Sequence, residues 1–487
     1  MHAHLNHVPA VLLRLDRNPF HHGTLGAVRS LGRKGVEVHA VVEAGGGPMG
    51  RSRYLHAVHA GPAGGLDPEA PQALLDCLTG VSERIGRPAV LVAMDDLSAI
   101  AVSRAAAVLT DRFRIPHQPD NLPARVADKA ELARLCARWD IPHPETVVPA
   151  SGAEAAEAAW RLGLPVIAKW SRPWLLPAAA GLRSTTLVHT TAEARRLYER
   201  SAEAGSRLLL QRFLPAGADT DWFFHGAFTR GGHPLLTGSG RKELSWPVRT
   251  GLTAVGRWLP DPAVEEAGLR LAERLGYQGI LDLDFRRDER GTFRLVDFNP
   301  RPGAQFRLFT DAAGLDVVQA MYLDLTGQQV PTPSGGPGRV FVAENYALLA
   351  AVRGRSLPHR PAPARRGAAG PTAQAAAAGA AAGAAGSASA PARELPGAER
   401  GRVETAWFAG DDPLPFLAMV GAFLGRGLGK GARALRGVPA QGRRTARAVA
   451  RAPRQRGGEQ PPASPGGGAS RPVPPEAPAE PDELVTR

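Results

Sequence analysis

The segment GILDLDFRRDERGTFRLVDFNPRPG, residues 279–303, constrains the fold more than any other part of the chain. Ile280 to Phe285 and Phe293 to Asn299 each alternate with the period of a strand, and DERGT between them reads as a turn. Closing the hairpin about Arg290-Gly291 sets Asp284 opposite Asp297 and Asp282 opposite Asn299. Alternation then gathers Asp282, Asp284, Asp297 and Asn299 on one face, with Leu281, Leu283, Phe285, Val296 and Phe298 on the other. Like charges directly across a strand pair repel, at about 0.2–1 kcal/mol. Asp284, Asp297 and Asn299 together offer two anionic oxygens and an amide oxygen, a set that suits a hard cation such as Mg2+. The competing reading is that the acids face water or pair with Arg286, Arg294 or Arg301.

The 487-residue chain is long enough for two or three domains, and its 44% hydrophobic content is enough to build their cores. Its two cysteines, Cys77 and Cys136, lie in helix-like runs without neighbouring Cys or paired His, which suggests neither a disulfide framework nor a zinc site and fits a reducing cytoplasm. The opening MHAHLNHVPAVLLRLDRN has no signal-peptide pattern, and the best apolar run, PLPFLAMVGAFLG, is too short to cross a bilayer. The formal charge of +13 is uneven: from Gly354 onward there are 19 Lys+Arg against 10 Asp+Glu. The excess describes a solvated basic tail in preference to a nucleic-acid or anionic-lipid partner.

Residues 1–120 alternate strands and helices, predicting a parallel sheet with crossover helices. No GxGxxG follows the first strand, so a dinucleotide site has little support. Arg14, Asn18, His21, His22 and Asp95-Asp96 fall at strand ends or in loops, where such sheets present ligand contacts. His21-His22 reads as a surface loop in preference to a metal site. Residues 121–330 mix helices with strands that predict antiparallel sheets, an α+β body, and 331–353 read as a closing strand and helix. Residues 354–402 are dominated by Ala, Pro, Gly and Arg and predict a disordered linker; 438–487 predict a disordered basic and Pro-rich tail. Between them, 403–437 is an amphipathic island whose aromatics need burial, by docking on the body, by self-association or at a membrane surface.

On four motifs the chain resembles the ATP-grasp superfamily. DFNPR (Asp297 to Arg301) follows an acid-bearing strand; ADKAELARLCARWDIPHPET contains a DK-initiated helix and a Pro loop; LPVIAKW ends a strand in Lys169; LLLQRFLPAGADTD matches a hinge with a later acid. The resemblance implies an α/β Rossmann-like pre-ATP-grasp domain over 1–120 and an ATP-grasp domain over 121–330. It implies ATP as substrate and Mg2+ as cofactor, two ions, with Mn2+ an acceptable substitute. Lys129 and Lys169 would contact the phosphates, with Arg183 reaching them from the loop after Lys169. Gln211, Arg212, Phe213 and Leu214 would form the adenine hinge; Glu is the common hinge residue, so Gln211 is a departure. Asp219 would hold the ribose, with Asp221 the second choice. Asp284, Asp297 and Asn299 would be the metal ligands. Arg241, Lys242 and Arg249, with Arg301, would hold a substrate carboxylate or the transferring phosphoryl group.

The N-terminal region is most similar to that of uncharacterised ligases related to D-aspartate ligase. The resemblance therefore implies a cytoplasmic carboxylate–amine ligase acting on small-molecule acids and amines through an acyl phosphate. The alternatives are an ATP-grasp enzyme with a different acceptor, carboxylating or thioester-forming, and a non-catalytic ATP-binding regulator.

Overall fold

The computed structural model describes residues 8–436, apart from 17, 43–45, 63–70, 120, 218, 248–250 and 356–401. The chain divides into one unit over 1–429 and a second over 430–487, of which the described part is the end of the helix Leu414–Arg436. The linker expected at 354–402 and the tail expected at 438–487 lie almost wholly outside the described residues.

The N-terminal sheet is built from β1 (Ala10–Arg14), β2 (Val38–Val42), β3 (Ala57–Ala60), β4 (Ala89–Ala93) and β5 (Phe113–Arg114). All its pairs are parallel, in the order β3-β2-β1-β4-β5. β1, β2 and β4 are almost wholly buried and apolar except for Arg14 at the end of β1 and His39 in β2, as expected for strands covered on both faces. Strand order reverses between β1 and β4, so the crevice at their C-terminal ends is where such a sheet receives ligands. Asp95 lies there. It caps the helix Asp96–Arg104 by accepting from Ser98 N at 2.8 Å, and its other oxygen accepts from Leu15 N at 2.6 Å.

A second sheet contains β6 (Thr146–Val147), β7 (Val166–Trp170), β8 (Thr185–Val188) and β9 (Leu208–Arg212), ordered β6-β9-β7-β8 and wholly antiparallel. Helices Gly152–Leu162 and Thr191–Glu199 supply apolar residues to its core. Ser151 caps the first of them, as the Ser151/Glu154 pattern predicts. In the loop after β7, Leu176 and Leu182 pack on this same core.

The third sheet comprises β10 (Asp221–Phe228), β11 (Pro234–Trp246), β12 (Leu252–Trp258), β13 (Gly279–Arg287), β14 (Phe293–Asn299), β15 (Val340–Val342) and β16 (Val403–Thr405). Its order is β14-β13-β10-β11-β12-β15-β16, antiparallel except for the β15–β16 pair. Helix Pro262–Leu275 and Leu132, Leu135 and Cys136 of helix Lys129–Arg138 cover one face of β10, β13 and β14.

The amphipathic island docks on the body. Trp407 is fully buried, and Asp412 accepts from Arg29 Nε at 2.9 Å and Ser52 Oγ at 2.7 Å. No helix among the described residues is long and apolar enough to cross a membrane.

The His21-His22 pair is not a surface loop. His21 Nδ1 caps the helix His22–Gly32 by accepting from Thr24 N at 3.2 Å, and His22 is buried against Phe341, Tyr346 and Trp407. Burial holds both pKa values down at about 3, from 6.5, helped by Arg14 and Arg301 for His21 and by His21 for His22. Between those values the unfolded chain binds more protons than the folded one, so stability falls as pH drops from about 6.5 towards 3. A His22→Phe variant followed by denaturant midpoint against pH should show a shallower acid loss.

Candidate active site

The acidic hairpin forms with the expected register at its inner end. Asp282 pairs with Asn299, Leu283 with Phe298 and Asp284 with Asp297. Beyond Asp284 the register slips, so Phe285 pairs with Leu295 rather than Val296. This β-bulge leaves Val296 without a partner across the ladder and turns Leu295, 2% exposed, into the core. The sequence alternation placed Val296 on the apolar face; the bulge instead puts it on the wall of a cleft, where its carbonyl accepts from Lys169 Nζ at 2.9 Å.

That cleft runs between the second and third sheets. It has about 850 Å3 of empty space including its open mouth, and Lys169, Gln211, Leu214, Asp221, Lys242, Asp284 and Asp297 are among its walls. Lys169 arrives on β7. Lys129 is the first residue of a helix capped by Asp128, which also accepts from Ser171 Oγ and from Arg172 Nε at 2.9 Å. Lys129 N donates to Ser171 O at 2.8 Å, so the DK pair is pinned to the end of β7. Its Nζ thereby meets the Asp297 carboxylate. Lys242, on β11, reaches Asp284 Oδ1 at 3.3 Å.

The electrostatics separate the facing acids. Burial, reinforced by Asp282 and Asp297, holds the Asp284 carboxyl above its ordinary range despite Lys242. Burial also disfavours the charged form of Asp297, but Lys129 and Lys169 outweigh it and bring Asp297 below its ordinary range. Burial lowers Lys169 to about 8, with Asp297 opposing the drop. Lys242 is raised: burial would lower it, and Asp284, Asp221 and Asp282 more than compensate. The cleft is thus a set of alternating charges poised to exchange partners. Two facing carboxylates, each balanced by a lysine, are donors of the kind a hard divalent cation takes, so these residues fit Mg2+.

Asn299 is a different case. It is buried, donates to Asp282 Oδ2 at 3.3 Å, and its Oδ1 accepts from Arg301 Nη2 at 3.1 Å. Asn299 is not part of the cleft wall. Its oxygen becomes a metal ligand only if Arg301 lets it go. Arg301 joins this network to the N-terminal sheet, donating to Asp96 Oδ1 at 3.1 Å and approaching Asp282 Oδ2 at 3.5 Å. His225, fully buried on β10, places Nε2 at 2.6 Å from Asp282 Oδ1. Sequence reasoning missed His225. Its only signal was a polar residue inside the apolar run DWFFHGAF. Gly303 completes the arrangement: a Cβ there would collide with the His225 ring and with Asp282 Oδ2 at 2.6 Å, so the chain passes only as glycine.

The remaining predicted residues scatter more. Gln211, 8% exposed, lines the cleft and donates to Thr146 Oγ1 at 3.0 Å; Leu214 lines it too. Arg212 lines it while its exposed side chain pairs with Glu145 at 2.5 Å. Phe213 faces a neighbouring depression with Leu162 and Pro215. Asp219 is drawn to Arg241 at 2.5 Å and away from the cleft, whereas Asp221 lines the cleft and accepts from Arg286 Nε at 2.6 Å. Of the two acids the sequence offers for the ribose, Asp221, its second choice, is the one that lines the cleft. Arg183 is exposed on the loop before β8 and does not line the cleft. Arg249 lies outside the described residues.

No family model matches the chain, and no curated protein matches its sequence. Solved structures do match its fold. The chain is similar to the biotin carboxylase of Campylobacter jejuni in a beta-gamma-ATP complex, with 13% identity over 69% of this chain and 75% of that one, at a TM-score of 0.52. It is also similar to the ADP complex of an N5-carboxyaminoimidazole ribonucleotide synthetase, with 10% identity over 72% and 86% of the two chains and a TM-score of 0.51. A third is N5-carboxyaminoimidazole synthetase from Staphylococcus aureus complexed with ADP, with 13% identity over 67% and 79% and a TM-score of 0.50. The chain has the ATP-grasp fold. Likeness at this level defines architecture, and the chemistry has to come from the site.

Proposed function

We propose that this protein is an ATP- and Mg2+-dependent ligase that activates a carboxylate as an acyl phosphate and joins it to an amine, within the group related to D-aspartate ligase. The observation that carries the reading is the convergence of Lys129, Lys169 and Lys242 on Asp284 and Asp297 in a cleft between two sheets. A nucleoside triphosphate brings several negative charges, and its γ-phosphorus becomes accessible to an anionic nucleophile only once those charges are neutralised.

Mg2+ held by Asp284 and Asp297 would supply Lewis-acid charge neutralisation on the phosphates. Lys129 and Lys242 would offer their ammonium groups to phosphate oxygens, and Lys169 would do so from the opposite sheet. Gln211, Leu214 and the backbone beside them line the end of the cleft suited to the base, with Asp221 near the ribose. A substrate carboxylate oxygen attacks the γ-phosphorus and ADP leaves. The amine then attacks the acyl carbon, phosphate leaves, and the amine gives up a proton. Arg301, at the crevice between Asp96 and the hairpin, is positioned to orient the carboxylate.

The test is ADP release by the purified chain with Mg2+ and ATP against pooled amino acids and small acids. Stimulation by an acid–amine pair, with stoichiometric phosphate, supports the ligase; no release with any pool would leave a binding module and overturn it. Lys169→Met should raise the KM for ATP by about 10–100-fold, the range of about 1.5–3 kcal/mol expected for hydrogen bonds to a charged group. An unchanged KM would remove Lys169 from the phosphate contacts.

A further inference from the structure

The outer edge of the N-terminal sheet carries a cluster that the nucleotide cleft does not use. Glu37 immediately precedes β2, His39 lies on β2, His56 leads into the edge strand β3, and His59 lies on β3. Parallel pairing of β2 with β3 sets His39 beside Ala57 and Val41 beside His59, which brings the imidazoles together although 20 residues separate His39 from His59. The His39 ring centroid lies 5.0 Å from that of His56 and 5.3 Å from that of His59.

We propose that Glu37, His39 and His56 bind a divalent transition metal, with Zn2+ the best match, and that His59 and Arg87 hold its ligands in place. One ligand atom from each of Glu37, His39 and His56 lies within 4.8 Å of the others. A tetrahedral zinc ion sits about 2.0–2.2 Å from N and O ligands, so its ligands stand roughly 3.3–3.6 Å apart. Rotation of the exposed His56 closes that difference. Two imidazoles and one carboxylate form a borderline donor set that selects zinc over magnesium, with a fourth position left for water.

The surroundings match what such a site requires. Glu37 Oε2 is held by Arg87 Nη2 at 2.6 Å, which leaves Oε1 aimed at His39 Nε2, 2.8 Å away. A cation bound there takes both atoms in place of their mutual hydrogen bond. His39 would then bind through Nε2 and donate its Nδ1–H to His59 Nε2, now 3.0 Å distant. Ligating histidines characteristically use the second nitrogen in this way. The ion would clip β3, an edge strand, onto β2 from a place remote from the hairpin acids, so the proposal does not depend on the ligase reading.

The test is calorimetric titration of the chelator-stripped full-length chain with ZnCl2 in excess Mg2+, which occupies oxygen-only sites. His56→Ala, altering an exposed side chain, should remove one tight Zn2+ equivalent, as should Glu37→Gln. His59→Ala should keep the stoichiometry and weaken affinity by about 10–100-fold. Zn2+ should raise the melting temperature of the wild type and not that of His56→Ala. Equal stoichiometry and affinity in the wild type, His56→Ala and Glu37→Gln would overturn the proposal, whatever other histidines bind.

Discussion

Replacing Asp297 with alanine is expected to lower Mg2+-dependent ATP turnover by about 10²–10³-fold, the scale for removing one preorganised electrostatic group from a reacting centre. Asp297 faces Asp284 across the hairpin and neutralises Lys129. It is also the charge that most opposes the burial-driven drop in Lys169. Without it the cation loses an anionic oxygen, and Lys169, already near 8, falls further and carries less charge at neutral pH. The proposed metal site and the charge on Lys169 are therefore weakened together. Asp297→Asn keeps the shape but not the charge and should be nearly as impaired. The measurement is ADP release at saturating ATP, with an unfolding curve showing that the variant folds. Turnover within threefold of wild type would sink the assignment of this cleft as the reacting centre.

Asp282→Ala should destabilise the fold by about 3–5 kcal/mol, the cost of removing one member of a buried charged network. His225 is fully buried and Asp282 is 4% exposed. Burial alone would raise the Asp282 carboxyl, yet His225 and Arg301 beside it bring it below its ordinary range. Deleting the carboxylate strands His225 within the sheet, costs Asn299 an acceptor and loosens Arg301, which also holds Asp96. Denaturant unfolding reads the loss directly. His225→Ala combined with Asp282→Ala should cost clearly less than the two single changes added, because each removes the same contact. A loss under about 1 kcal/mol, or full additivity, would show that the network is not a unit.

The hairpin was legible because strand alternation is local. A period of two tells which side chains share a face, and the turn tells which residues meet, so Asp284 and Asp297 could be paired on sequence alone. The bulge was not legible. The preference for Leu295 over Val296 in the core is a matter of packing against Leu283, Phe285 and Phe298, and this freed the Val296 carbonyl for Lys169. The sequence ranked Asp219 above Asp221; Arg241 and Arg286, on other strands, decided that Asp221 lines the cleft. His21-His22 looked like a loop because it lies in the turn-rich run DRNPFHHGT, whereas Trp407, nearly four hundred residues on, covers His22.

By itself the sequence determined the alternating elements and the facing acids, since each depends on residues near one another along the chain. Only the tertiary structure decided which lysine neutralises which acid, that His225 completes the Asp282 network, that Arg301 bridges to Asp96, and that Glu37, His39, His56 and His59 converge. Those pairings join segments far apart in sequence. Charge and hydrogen-bond geometry act over a few ångströms of space, and no periodicity along a chain encodes which distant strand will supply the partner.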